Sequence, residues 1–361
     1  MFLTERQMCS APSGPKERTN LEAPKARFSK RNFARRTAGE TASTELVNRV
    51  SQASATPNAG NSCYVFNDKF LEFRTPFDEM RGGITLATCC LLGPLVYGME
   101  PFPAMIQEML SGINESGNEM DLQSYGAYTW VIVLLSSLLV AAVHFGWRHL
   151  RLEAFVQRRL LVRFNRKTRK VYLHRPAYAG GVLELPWDNV VPDGVCPGSD
   201  EASGIGASLM LLWNPPHSPR GEIEMALVGR MARSNSEITN LWEFIRRYME
   251  EGPEGLPEPQ TIGKFPWPWR GLESAWSFIW PVWRIEGLDW ARWLIVLMSP
   301  LILIFAASHW LALLTCWEPV FPKAIRDACG EGWKDVLRTR MIDVGAWAML
   351  AAVLAGLWQL I

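Results

Sequence analysis

Four apolar blocks interrupt an otherwise mixed chain, at about 84–105, 128–149, 293–316 and 344–361. Each approaches the ~20 apolar residues a helix needs to cross ~30 Å of hydrocarbon. Between the second and third blocks the pattern changes. Leu160, Val162 and Phe164 alternate with Leu161 and Arg163, and Val171 and Leu173 alternate with Tyr172 and His174. Leu183, Leu185 and Trp187 then share one side of a third run. A period of two predicts strands, and the polar stretch Asn165–Thr168 predicts a hairpin between the first two. A fourth run, Ser208–Trp213, is apolar on both faces, and a fifth, Glu222–Val228, alternates again. Ile238, Leu241, Trp242, Ile245, Tyr248 and Met249 form one helical stripe, opened by Ser234 and Glu237 as a capping box and closed by Gly252 and Pro253.

These patterns predict an α+β membrane protein. Four transmembrane helices in two hairpins flank a cytoplasmic antiparallel β-sheet module with one C-terminal amphipathic helix, compatible with a PH-like (pleckstrin-homology-like) fold. The expected divisions are a disordered polar and basic tail over 1–65, then an amphipathic approach with the first two spans over 66–149. The module follows over 150–257, a Trp/Pro-rich interfacial linker over 258–292, and the last two spans over 293–361. Ala348, Ala352 and Gly356 recur every four residues, a small-residue face suited to close helix packing.

Charge distribution orients the chain, although the formal net charge is only +1. Glu100–Tyr128 contains no Lys or Arg, whereas nine basic residues fall between Arg148 and Lys170. Positive loops stay in the cytoplasm, so the module is expected there, with Glu100–Tyr128 and, by an even count of spans, Trp317–Met341 outside. Both termini are then cytoplasmic. Trp130, Trp147, Trp290 and Trp293 mark span ends as interfacial anchors, among 17 Trp in all. MFLTERQMCS has no apolar core, so no cleavable signal peptide is expected.

Candidate chemistry is sparse. No CxxC pair, P-loop, GxSxG or HExxH is present, so no catalytic, cofactor or metal residues are assigned. Arg163, Arg166, Lys167, Arg169 and Lys170 make a basic hairpin that serves either as a contact for lipid headgroups or a partner, or only as the topological signal. His309 inside the third span reads as a packed neutral imidazole. Whether Cys316 and Cys329 are bridged is left open.

The strings RFNRKTRKVYLHRP, GGVLELPWDNV and LWEFIRRYMEEGPEGLP resemble an uncharacterised family of proteobacterial membrane proteins, the domain-of-unknown-function 6708 family. Members of that family are often encoded beside type VI secretion genes and their effectors. The resemblance implies a multi-pass protein of a Gram-negative inner membrane and supplies no active site. The expected function is non-enzymatic: the module binds a protein partner, an effector or secretion component, as an accessory or immunity factor. The alternative is a membrane-acting toxin. The bilayer is an expected partner, nucleic acid is not, and self-association is open.

Overall fold

The period-two runs form the middle of a five-stranded antiparallel sheet whose strands lie in chain order. These are β1 (Cys63–Phe66), β2 (Phe70–Phe73), β3 (Leu161–Asn165), β4 (Lys170–His174) and β5 (Val182–Pro186). This computed structural model describes residues 49–359 apart from 80, 114–116, 196–205, 222 and 284–288. The expected β3–β4 hairpin is present, with Phe164 opposite Val171 and Leu161 opposite His174. A second antiparallel sheet holds β6 (Val191–Asp193), β7 (Leu209–Trp213) and β8 (Glu224–Val228).

Helix α4 (Asn235–Glu250) closes the module. It starts after Ser234, but the Ser234 side chain makes no cap hydrogen bond. Glu237 instead accepts from the Arg233 backbone N–H at 3.0 Å. The helix stops as expected: Gly252 adopts φ +105, a conformation disfavoured for side-chain-bearing residues. The apolar stripe of α4 joins both sheets in one core around Trp187, Trp213, Trp242 and Phe244. Trp187 and Trp242 lie 5.7 Å apart at 30°, a tilted aromatic pair of the kind that fills large cores.

Two departures concern where the module begins and ends. The sheet recruits β1 and β2 from before the first apolar block, so residues 59–73 are not part of a free tail or an approach helix. Leu71, pairing with Phe164, is fully buried, and so is Glu72, pairing with Arg163. The tail over 1–48 lies outside the described residues. The connection after the third block also belongs to the module. Phe321, Ile325 and Cys329, the last two on α8 (Lys323–Cys329), pack with Tyr64, Phe70, Leu161 and Tyr172 on the sheet face opposite α4. The expectation that Trp317–Met341 lies on the side away from the module therefore fails for residues 317–331.

The helices are α1 (Gly83–Tyr97), α2 (Phe102–Ser111), α3 (Leu122–Leu150), α5 (Trp269–Trp283), α6 (Asp289–Leu297), α7 (Ser299–Thr315) and α9 (Trp333–Trp358). Three helical stretches, Pro76–Ser111, Leu122–Leu150 and Trp333–Gly356, are long and apolar enough to cross a membrane, and Ser299–Thr315 is apolar but shorter. Three of the four expected blocks therefore coincide with a helix of spanning length, and the third block carries only the shorter Ser299–Thr315. The first block breaks between α1 and α2, and the third is the α6–α7 pair with Ser299 and Pro300 at the join.

The stretch 258–292, read as an interfacial linker, contains α5, which packs along α7. A Cβ on Gly271 would lie 2.1 Å from the Ala306 carbonyl oxygen, so the two backbones touch there. At the other end of α5, Arg292 Nε donates to the Trp283 carbonyl at 3.3 Å. These contacts make α5 and α6–α7 a helical hairpin whose second arm returns to the module.

Candidate functional site

Five basic side chains of the β3–β4 hairpin were the leading candidates, and the fold places most of them in structural work. Arg163 is buried between the rings of Phe70 and Phe321, at 4.3 and 4.2 Å from their centroids. It pairs with Glu72 at 2.7 Å and with Glu331 at 2.6 Å. Arg169 pairs with Asp188 and Glu250, and Lys170 with Glu184. Arg166 lies over Gly252, where a Cβ would come within 2.8 Å of its guanidinium carbon. Lys167 is exposed. The turn sits at the end of β3 remote from α3, about 13 Å along the strand at ~3.3 Å per residue. Arg163 is therefore withdrawn from any lipid-headgroup role, because its charge is enclosed and neutralised.

Glu72 shows how that enclosure works. Burial raises its pKa, but Lys264 at its Oε1 and Arg163 at its Oε2 outweigh burial and hold the carboxyl near 2. The pair is bidentate on the arginine side, with Nε and Nη2 both donating to Oε2.

The segment linking α3 to β3 fastens the helices to the module. Glu153 accepts from the backbone N–H of Gly82 at 2.6 Å and of Thr85 at 2.7 Å, and from the Thr85 hydroxyl at 2.9 Å. A carboxylate thus satisfies the free donors at the N-terminus of α1, where the helix dipole favours negative charge. Arg158 does the converse at the C-terminus of α7. It donates to the carbonyls of Leu313 at 3.0 Å and Cys316 at 2.5 Å, and pairs with Glu318 and Asp343, each at 3.3 Å. Arg81 adds donors to the Glu153 and Gln157 carbonyls at 3.1 and 2.8 Å. His309 packs behind Arg81, with Nδ1 2.9 Å from the Arg81 carbonyl and 3.3 Å from the Ser274 hydroxyl.

Beside this junction opens a cleft of about 1170 Å³ between α3 and the β4–β5 side of the module. One wall is a helical stripe of α3: Val140, Val143, Trp147 and Arg151, with Arg148 beside it. The other wall includes Pro176, Ala177, Tyr178 and Val182, with Phe155, Val156 and Trp317 at the base. Phe155 has φ +55, a strained value for a bulky side chain. Its ring lies 5.4 Å from that of Trp147.

The remaining candidates divide by exposure. Trp130, Trp290 and Trp293 are largely exposed, and Trp147 is about half exposed. Ala348, Ala352 and Gly356 are exposed too; the side of α9 that is covered carries Asp343 and Ala346. Cys316 and Cys329 are free thiols. Among the described residues no group of three His, Cys, Asp or Glu could hold a metal ion.

Glu72, Glu153, Arg158, Glu318 and Glu331 were not singled out from the sequence. Their only signal was charge close to apolar runs, which reads equally well as solvated flank. Residues 222–332 match a family of unknown function, DUF6708. That stretch begins at β8 and ends just before α9, so it spans module and helices alike. No curated protein and no solved structure matches the chain.

Proposed function

We propose that this is a non-enzymatic, multi-pass membrane protein that holds a partner-binding module rigidly at one face of the bilayer. The observation that carries the reading is the Arg158–Glu318–Asp343 cluster with Glu153. These groups lock three apolar helices to the sheet module through buried charge, so the module cannot swing freely on a linker. Two antiparallel sheets closed by α4 support a PH-like description of it. The buried carboxylates Glu72, Glu153, Glu243 and Glu318 are each held by a guanidinium, an ammonium or backbone N–H groups, which favours a structural over a catalytic use. The proposed partner is an effector or secretion component, and the role an accessory or immunity factor in a Gram-negative inner membrane, on the family resemblance of the sequence; the matched family itself is one of unknown function.

The packing also supports a revised topology. The positive segment Arg148–Lys170 sets the module in the cytoplasm. Helix α3 and the α5–α7 hairpin both return to it, and residues 317–331 stay on it. Helix α9 then leaves from Asp343 along α7, which gives an odd number of passes and a C-terminus on the far side. The membrane reading is tested by carbonate extraction of native membranes. The partner reading is tested by capturing tagged full-length protein in mild detergent. A stoichiometric effector or secretion component supports it, and recovery of this chain alone contradicts it. The exposed Trp269, Trp276, Trp290 and Trp293 favour a second reading, a bilayer-disrupting toxin, for which expression in a naive host would arrest growth with depolarisation.

A further inference from the structure

The cleft beside the junction has the chemistry of a lipid site. Its α3 wall is apolar at Leu139, Val140 and Val143, carries His144 beside them, and ends in Trp147, Arg148 and Arg151. The other side of α3 is already used: Ala142 and Gly146 are buried, and a Cβ on Gly146 would lie 3.3 Å from Thr88 of α1. The stripe facing the cleft therefore has no protein cover along Val140 and Val143, both exposed. At its module end the polarity reverses. Among the described residues neither Arg148 nor Arg151 has a carboxylate within ion-pair distance, although ion pairs elsewhere in the module engage Arg158, Arg159, Arg163, Arg169 and Arg175. Arg151 rests over the Trp147 ring at 5.8 Å. The strained Phe155 holds an aromatic ring out at the mouth, 42% exposed, against Trp147.

We propose that this cleft binds one anionic phospholipid, with its phosphate between Arg148 and Arg151 and an acyl chain along Val143 and Val140. Charge complementarity selects the occupant. Two unpaired guanidiniums at the end of an apolar stripe match a negative headgroup joined to a hydrocarbon tail. They do not match a neutral lipid or an apolar peptide. The volume, about 1170 Å³, exceeds the roughly 300–1,000 Å³ of ordinary small-molecule sites. Trp147 and Phe155 sit where headgroup meets chain, the depth that amphipathic aromatics favour. A lipid there would rest on the span and the module together, and would reinforce the junction that Arg158 and Glu153 build.

The proposal rests on the membrane reading above, which carbonate extraction tests independently. The experiment purifies the full-length protein in mild detergent and counts co-purifying phospholipid per chain by mass spectrometry. Delipidated protein is then exposed to phosphatidylglycerol, cardiolipin or phosphatidylcholine in mixed micelles. The expected result is about one anionic lipid retained per chain, with phosphatidylcholine unable to replace it. The R148Q/R151Q variant should bind about thirty-fold more weakly, near tenfold or less per lost surface charge. A second variant, V143W, keeps both charges and fills the groove, and it too should lose the lipid. K167Q/K170Q, in the distant turn, should retain it. Equal retention of phosphatidylcholine, or undiminished binding by R148Q/R151Q in a variant that still extracts as a membrane protein, would overturn the proposal.

Discussion

Arg158 and Glu318 meet at 3.3 Å with neither side chain exposed. Each comes from a segment that follows an apolar helix, so the pair joins the end of α3 to the end of α7. Buried pairs contribute little net stability over apolar replacements, but breaking one leaves a charge without a partner. Arg158→Met should therefore destabilise the protein by about 3–5 kcal/mol. Glu318→Gln should cost less, because Asp343 still faces Arg158. Thermal unfolding in detergent, followed by tryptophan fluorescence, measures both.

Glu72 makes the module acid-sensitive in a defined window. Its carboxyl is held near 2 in the folded chain, against an ordinary value of 4.5. A lowered carboxylate contributes stability that is complete above the unfolded value and is lost as pH falls through the folded one. Stability should thus hold from neutrality to about pH 4.5 and decline towards pH 2. Glu72→Gln should remove that part of the decline and lower stability at neutral pH, since Lys264 and Arg163 lose their shared anion. Chemical denaturation at several pH values separates the two effects.

How much of this was legible in the sequence follows chain distance. The β3–β4 hairpin and α4 were readable because their apolar periods are local. β1 and β2 were not, because four residues are too few to display alternation and the strand that holds β2 in the sheet, β3, lies beyond three helices. The burial of Arg163 was hidden for another reason: a charge between two aromatic rings and two carboxylates reads, one residue at a time, as solvated surface. The packing of α5 along α7 was not legible, because its many tryptophans suggested an interfacial segment rather than one arm of a hairpin. The cleft was half legible. Trp147 and the basic residues after it were noted, but the module wall opposite them depends on the fold.

Gly271 sets the spacing of the α5–α7 hairpin. A methyl group there would meet the Ala306 backbone, which cannot rotate aside as a side chain could. Gly271→Ala should separate the helices and cost about 1–3 kcal/mol, the range for overpacking. Protease sensitivity of the stretch after Trp283 should rise in parallel.

The thiols provide a second readout of packing. Burial pushes the Cys63 thiol up to about 12, and burial also raises that of Cys329. Since the thiolate is the reactive form, neither should react with a maleimide at pH 7 until the module unfolds. Full labelling of Cys63 in native protein would show that β1 is not paired in the sheet.

The contact between the module and residues 317–331 separates this architecture most sharply from a pair of simple hairpins. Asn165 donates from its side-chain amide to the Cys329 sulfur at 3.3 Å. Asn165→Cys in the full-length protein therefore places two thiols side by side, one on β3 and one at the end of α8. Mild oxidation of intact native membranes, followed by peptide mass spectrometry, should yield the 165–329 disulfide in most of the protein. If no such bridge forms, and Cys329 is labelled only from the side of the membrane opposite the module, then the connection does not dock and the proposed odd number of passes is wrong.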